Sequence, residues 1–216
     1  MLEINNLVKS FHNNDIFSNF NFFVEKGEFV VIKGKSGSGK SVLLNILGLL
    51  DSFEGGSYKL DGIESKAPNH KQSLLMRRNL FSYVFQESGL LVDESIEKNL
   101  QIPLIYKKLS KKSQREYMED VMEKVNLSCS LATPIHQLSG GERQRVAMGK
   151  ALLKDTPIIL ADEPTGSLDS ENSLIIKKLL DNEHSNKKTV ILVTHEEELF
   201  DDRNYRFVQL EESILT

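Results

Sequence analysis

The octapeptide GKSGSGKS at residues 34–41 constrains this chain more than any other stretch. The apolar run Phe29, Val30, Val31 and Ile32 precedes it, and Val42, Leu43, Leu44, Asn45, Ile46 and Leu47 follow, so the order reads strand, glycine loop, helix start. The spacing fits G-x-x-x-x-G-K-[ST], in which each position has a physical task. Gly34, Gly37 and Gly39 let the backbone turn through positive φ and approach a ligand closely. The N–H groups from Gly34 through Lys35, Ser36 and Ser38 then face inward as an anion nest, and the helix N-terminus adds positive potential. Lys40 would reach the terminal phosphates and the Ser41 hydroxyl would ligate Mg²⁺.

A chain of 216 residues implies one domain, with room for two lobes and an ample core. A net charge of −4 argues against a dedicated nucleic-acid binder. The lone cysteine, Cys129, excludes an internal disulfide and a cysteine-pair metal site, which fits a reducing compartment. No basic leader opens the chain, and no apolar run approaches the roughly 18 residues of a membrane helix. A membrane role is therefore expected to come through a partner.

Along the chain, residues 2–11 mix aliphatic and polar side chains as a half-exposed strand does, and Asn13, Asn14 and Asp15 read as a turn. Further strands are expected at 20–24 and 57–60, an antiparallel layer beside the glycine loop. Residues 65–71 read as a loop, and 80–85 as a short strand ending at Gln86. Ser113 and Glu116 fit a capping box, after which Met118, Val121, Met122 and Val125 recur at helical spacing. Residues 126–134 break that helix, and another is expected from Ser139 to about Lys154. Residues 158–161 and 190–194 are continuous aliphatic runs, the mark of parallel strands buried on both faces. The fold expected is α/β, with a mostly parallel core sheet. The basic residues Lys107, Lys108, Lys111 and Lys112 read as a solvated loop and helix start.

The second phosphate-associated element is the run from Ile158 into Asp162 and Glu163. A carboxylate closing a buried strand is the expected Mg²⁺ partner, here Asp162, with Glu163 beside it able to polarise an attacking water. Ligands of open parallel sheets sit beyond the carboxyl ends of the strands, where the glycine loop, Gln86, Asp162 with Glu163, and His195 all converge. His12, His70, His136 and His184 lack such a position and read as structural or surface residues. Ser139, Gly140, Gly141 and Glu142 open a helix that could bind a second anion, yet the chain holds one phosphate loop. An unused anion site points to a composite site shared between two copies.

These motifs, in this order, resemble the nucleotide-binding subunit of an ATP-binding-cassette (ABC) transporter over nearly the whole chain. The resemblance implies a P-loop NTPase cassette with an N-terminal antiparallel β layer and a helical signature lobe, the core at about 1–86 and 146–216 and the lobe at about 87–145. It implies that Phe11 stacks on adenine while Ile16 packs against it, and that Gln86 serves as the Q-loop glutamine, touching Mg²⁺ and the attacking water. Ser139 to Glu142 would bind the γ-phosphate held by the opposite copy; Glu163 would be the catalytic base and His195 the switch histidine, with Ser167, Leu168 and Asp169 as the D-loop. ATP and Mg²⁺ are the implied ligands. The implied partners are a second copy and an integral-membrane permease at the inner face of the cell membrane, with no nucleic acid.

LLNILGLLD after the loop, Arg78-Asn79, residues 97–104 and Pro164-Thr165-Gly166 resemble more narrowly the macrolide-exporter and lipoprotein-release type, bacteriocin exporters included. Val42 departs from the family's threonine, which is expected to lower nucleotide affinity, and Gly149-Lys150 stands for alanine-arginine. Leu210-Glu211-Glu212-Ser213-Ile214 lacks the usual glycine turn. A cell-division cassette with a permease-like partner is the nearest alternative. DNA-repair and translation cassettes are disfavoured, for want of a long coiled-coil insertion and of a second cassette in the chain. A small-molecule kinase is disfavoured by Ser139-Gly140-Gly141 and by the set from Gln86 to His195.

Overall fold

The computed structural model of the chain describes residues 1–11, 14–86 and 89–210. His12, Asn13 and the C-terminal stretch from residue 211 lie outside the described residues, as does position 87, where the helical lobe was expected to start.

Leu2, Ile4 and Leu7 face inward along β1 (Leu2–Phe11), which pairs antiparallel with β2 (Asn14–Val24). β2 is longer than the 20–24 expected. Asn14 and Asp15, expected in a turn, are ladder residues: Asn14 stands across from Phe11, and Ser10 Oγ donates to Asp15 at 2.7 Å. Backbone amides need partners whatever their side chains, so a tight hairpin draws polar residues into the ladder. β3 (Phe29–Lys33) runs into the glycine loop and α1 (Lys40–Leu47). The chain then returns through β4 (Gly55–Leu60) to pair with β1, and β5 (Ile63–Glu64) edges the antiparallel sheet, whose order is β2-β1-β4-β5.

The helix α2 (Lys71–Leu80) is absent from the sequence-based expectation, because its apolar spacing is weak and only Ser73 and Met76 are buried. His70, expected in a loop, caps it by accepting the Gln72 N–H at 3.2 Å. β6 (Phe81–Val84) follows directly, so Leu80 belongs to the helix and Phe85 lies past the strand. The helical lobe holds α3 (Ile96–Gln101) and α4 (Lys111–Lys124). The cap of α4 is Ser110 rather than Ser113. With extended backbone, Ser110 accepts the Ser113 N–H at 3.1 Å, and Ser113 and Glu116 lie inside the helix. A hydroxyl placed earlier satisfies the orphan amide first. Met118, Val121, Met122 and Val125 are buried as the spacing implies, while Lys108, Lys111 and Lys112 are exposed.

Ser139 caps α5 (Gly140–Lys154) through a complete capping box with Glu142, at the start expected. β7 (Ile158–Asp162), α6 (Ser170–Ser185), β8 (Thr189–Val193) and an unforeseen edge strand, β9 (Arg206–Gln209), complete the described chain. All pairings in the core sheet are parallel, in the order β6-β7-β8-β3-β9. Its central strands divide their side chains between two cores. Phe29 and Val31 join α4, α5 and α6 on one face, and Val30 and Ile32 join α1 and the antiparallel sheet on the other. Burial on both faces is why these strands read as unbroken aliphatic runs. His184 is structural, contacting the Gly27 carbonyl at 3.0 Å and standing edge-on to Phe29.

Gly149 lies within α5, where a Cβ would meet Val125 and Val121 at 3.5 to 3.7 Å, ordinary contact. Glycine in a helix interior is destabilising by about 0.5–1 kcal/mol relative to alanine. Gly149→Ala is therefore expected to stabilise the chain by about that amount, read from the urea midpoint at unchanged slope. A fall in the midpoint would mean that the two valines cannot accept the methyl.

Candidate nucleotide site

Parallel strands bring their carboxyl ends to one edge of the sheet. There β3, β6, β7 and β8 deliver the glycine loop, Gln86, Asp162 with Glu163, and His195, as the sequence implies. A cavity of about 460 Å³ opens among Ile16, Ser36, Gly37, Gly39, Lys40, Ser41, Val42, Gln86, Glu163, Gly166, His195 and Glu196.

The loop is shaped by steric exclusion. Gly39 has φ 87° and caps α1, and a Cβ there would lie 2.5 Å from Ile16 Cγ2 and 3.0 Å from Phe17 Cζ. A Cβ at Gly34 would come within 2.6 Å of Ser38 Oγ and 2.7 Å of the Leu210 carbonyl oxygen. Only glycine fits either position. Lys40 is 6% exposed and donates to the carbonyls of Gly34 and Lys35 at 2.7 and 2.8 Å. The Ser38 hydroxyl is buried with no hydrogen-bond partner among the described residues. The loop thus holds a nearly buried cation and an unused donor, as an anion site requires.

Ser41 Oγ donates to Asp162 Oδ1 at 3.1 Å. Burial, the largest influence, pushes the Asp162 carboxyl above the ordinary aspartate value, against the Ser41 hydrogen bond and the Lys40 charge. Among the described residues no cluster of three or more His, Cys, Asp or Glu could hold a metal alone. Mg²⁺ needs no such cage, since it keeps several waters and takes one or two carboxylates plus substrate phosphates. The hydroxyl and carboxylate present fit it.

Glu163 adopts φ 44°, the left-handed region that costs a non-glycine residue about 1 kcal/mol or more. Its N–H donates to the Val193 carbonyl at 2.9 Å, and its Oε2 accepts the His195 N–H at 3.1 Å. Its Oε1 is buried without a hydrogen bond, 3.3 Å from His195 Nε2 at ion-pair distance. Burial, ahead of the opposing His195 contacts, raises the Glu163 carboxyl above the ordinary range.

A carboxyl raised in the folded state binds protons more tightly folded than unfolded. Its contribution to stability is full below the unfolded value and is lost as pH rises through the folded value. At neutral pH the ionised Asp162 is thus a burden on the fold. Asp162→Asn, which keeps an acceptor for Ser41, is expected to raise Tm by roughly 1–3 °C at pH 7. The gain should shrink as melts are repeated toward pH 4.5, and a less stable variant at pH 7 would contradict the assignment of burial as the main influence.

Phe11 ends β1 at 54% exposure, with the Lys9 ammonium 5.8 Å from its ring centroid, outside the residues that line the cavity. Ser139, Gly140, Gly141 and Glu142 also stand apart from it. Ser139 Oγ accepts the Glu142 N–H at 3.2 Å, while Glu142 Oε2 accepts the Ser139 N–H at 2.8 Å, the main reason its carboxyl sits below the ordinary range. Ser139 and Gly140 are exposed. Glu196 lines the cavity without having been singled out, although its place after His195 was the available signal. Lys150, one of the departures, donates to the Gly89 carbonyl at 2.9 Å just beyond Gln86.

A phosphate loop, a hydroxyl and carboxylate pair for a divalent cation, and a strand-end carboxylate backed by histidine on a parallel sheet define a nucleoside-triphosphate hydrolase. Residues 17–166 match the family model described as ABC transporter. The chain is 36% identical over 208 residues to the uncharacterized ABC transporter ATP-binding protein YknY of Bacillus subtilis, covering 94% of this chain and 90% of that protein. It is 36% identical over 203 residues to the macrolide export ATP-binding/permease protein MacB of Campylobacter fetus, 92% of this chain but 32% of that protein. The chain thus spans about a third of the MacB protein it matches. The ATP-binding cassette MJ0796, solved as a dimer in a post-hydrolysis state with ADP and Pi, superposes with TM-score 0.89 at 34% identity, over 98% of this chain and 94% of that one. The chain belongs to the ABC transporter family as an ATP-binding cassette, an ATPase.

Proposed function

We propose that two copies of this chain close head to tail around two ATP molecules and, through that movement, drive a separate integral-membrane permease of the macrolide, lipoprotein or peptide exporter type. The observation that carries this is the split of anion-binding parts. Lys40, the loop amides, Ser41, Gln86, Asp162, Glu163 and His195 share one edge, while the capped, exposed N-terminus of α5 stands outside that cavity. In this reading Ser139, Gly140, Gly141 and Glu142 of the partner copy complete each site, and Phe11 and Ile16 hold the base. The dimeric MJ0796 cassette supports the assembly, and the ATP-binding/permease name of the MacB protein supports the partner.

When bound, Mg²⁺ supplies positive charge beside the phosphate oxygens, held by Ser41 and Asp162 with Gln86 nearby. Lys40 leaves the Gly34 and Lys35 carbonyls for the β- and γ-phosphate oxygens. Fixed donors aimed at the transferring phosphoryl group need no reorganisation as charge develops. Glu163, its carboxyl raised and its orientation fixed by the His195 N–H, takes the proton of the attacking water. ADP and phosphate then part, and the dimer loosens.

The core at about 1–86 and 146–216 holds the nucleotide, and the lobe at about 87–145 carries the movement to the permease. A second cavity of about 470 Å³, walled by Tyr83, Phe85, Ile102, Pro103 and Tyr106, lies where core and lobe meet and supports that route. No helix among the described residues is long and apolar enough to cross a membrane. We place the chain at the cytoplasmic face of the membrane, bound through its permease. Sedimentation of Glu163→Gln with and without MgATP tests the assembly: a shift from monomer to dimer is expected, and a monomer at saturating nucleotide would remove its main support.

A further inference from the structure

Two exposed turns outside the nucleotide cavity, the start of α5 at Ser139 and Gly140 and the turn at Ser167 and Asp169 before α6, are joined by one side chain, Asn172. Its Oδ1 accepts from Arg145 Nη1, on α5, at 2.7 Å. Its Nδ2 donates to both carboxylate oxygens of Asp169, at 3.0 and 2.8 Å, and its backbone N–H donates to Asp169 Oδ1 at 2.8 Å. The amide also fills the space where a side chain at Gly141 would begin: a Cβ there would lie 2.6 Å from Asn172 Cγ and Nδ2. Gly140 differs, for its added Cβ would find its nearest atom, Arg143 Nη2, at 4.0 Å. The two adjacent glycines therefore face different surroundings, one packed against Asn172 and one open.

A carboxylate and a guanidinium could pair directly, but here they are held by opposite ends of one amide. The planar amide presents a donor to the carboxylate and an acceptor to the guanidinium, whereas a carboxylate at 172 would face that of Asp169. The guanidinium has little other anchorage on this side, since Arg145 Nε is buried without a partner among the described residues. A link of this kind makes two turns from separate elements, α5 and α6, into one rigid surface.

We propose that Asn172 is a positioning residue that locks the turn at 167–169 to the N-terminus of α5, so that both meet the partner copy as a single surface, with Gly141 admitting its amide. The inference rests on the head-to-tail assembly proposed above. Asn172 is not among the residues that line the nucleotide cavity. Its loss therefore acts on closure and turnover, and leaves binding of nucleotide by the single copy alone.

The test compares Asn172→Leu, near in shape but without donor or acceptor, with its parent in two backgrounds. In the Glu163→Gln background, the MgATP concentration for half-maximal dimer in sedimentation is expected to rise about tenfold, the order of one charge-assisted hydrogen bond. In the otherwise native chain, kcat for ATP is expected to fall while ADP binding to the monomer stays near the parent value and Tm drops by no more than the few degrees that the lost hydrogen bonds cost. Dimerisation at the parent's MgATP concentration overturns the proposal. Parallel losses of Tm and ADP affinity overturn it too, since they mark a structural role only. If Leu at this position prevents folding, Asn172→Asp, nearly isosteric, is read by the same outcomes. A Glu163→Gln parent that never dimerises sinks the assembly itself, whereas a parent that dimerises beside an unaffected Asn172 variant sinks this inference alone.

Discussion

Glu163→Gln is expected to cut steady-state phosphate release by about 10²- to 10⁴-fold, the range that general-base help supplies, with ATP affinity close to that of the parent. The amide keeps the size of the carboxylate and can still accept the His195 N–H now held at 3.1 Å. It cannot take a proton from water. The substitution also removes a partly buried ionised group, so no loss of Tm should accompany the loss of turnover. A variant retaining more than about a tenth of parental turnover would move the base elsewhere, and Glu196 at the cavity wall would be the next carboxylate to test. His195 holds Glu163 through a backbone N–H, which any residue at 195 provides. The imidazole, whose Nε2 lies 3.3 Å from Glu163 Oε1, is the part that His195→Ala removes, so that variant tests what the ring adds beyond the backbone contact.

Lys40→Ala is expected to weaken ATP binding by roughly 10²-fold, measured by titration calorimetry, because charge-assisted hydrogen bonds to buried phosphates are worth about 1.5–3 kcal/mol. The ammonium is nearly buried and spans the loop to two carbonyls, so the site carries a positive charge before any ligand arrives. ATP exchanges those carbonyls for phosphate oxygens. Fold stability should change little, as Gly34 is only half-buried and Lys35 is exposed, so water can take over the freed carbonyls. Unchanged ATP affinity would mean that the backbone nest alone binds the triphosphate, and Lys40 would then act only on the transition state.

Glu163 links the two expectations. Its left-handed backbone, the Val193 carbonyl and the His195 N–H over-determine its position, the setting in which strained residues persist at functional sites. The strain is a property of the site before ligand binds. A base held in place beforehand loses little entropy as the water attacks.

Much of this was legible in the residues. Phe29 to Ile32 and the runs at 158–161 and 190–194 read as parallel strands because burial on both faces leaves no polar alternation. The octapeptide placed the nest, and the strand ends placed Gln86, Asp162, Glu163 and His195. Other features were hidden. α2 gave no signal because its exposed helix buries only two side chains, and β9 because an edge strand of the sequence Arg-Phe-Val-Gln carries little pattern. The cap of α4 moved to Ser110 because Ser110 and Ser113 are equal candidates by residue type, and only the backbone angles choose between them.

The sequence by itself determined the α/β class, the phosphate loop, the helix start at Ser139 and the order of the motifs, since these follow from local rules of period, torsion and spacing. Only the tertiary structure decided that Ile16 closes on Gly39, that Ser41 meets Asp162, and that Asn172 joins Arg145 to Asp169 beneath Gly141. Each of those contacts joins residues from different elements, brought together by how sheet and helices pack, and no local pattern encodes that distance.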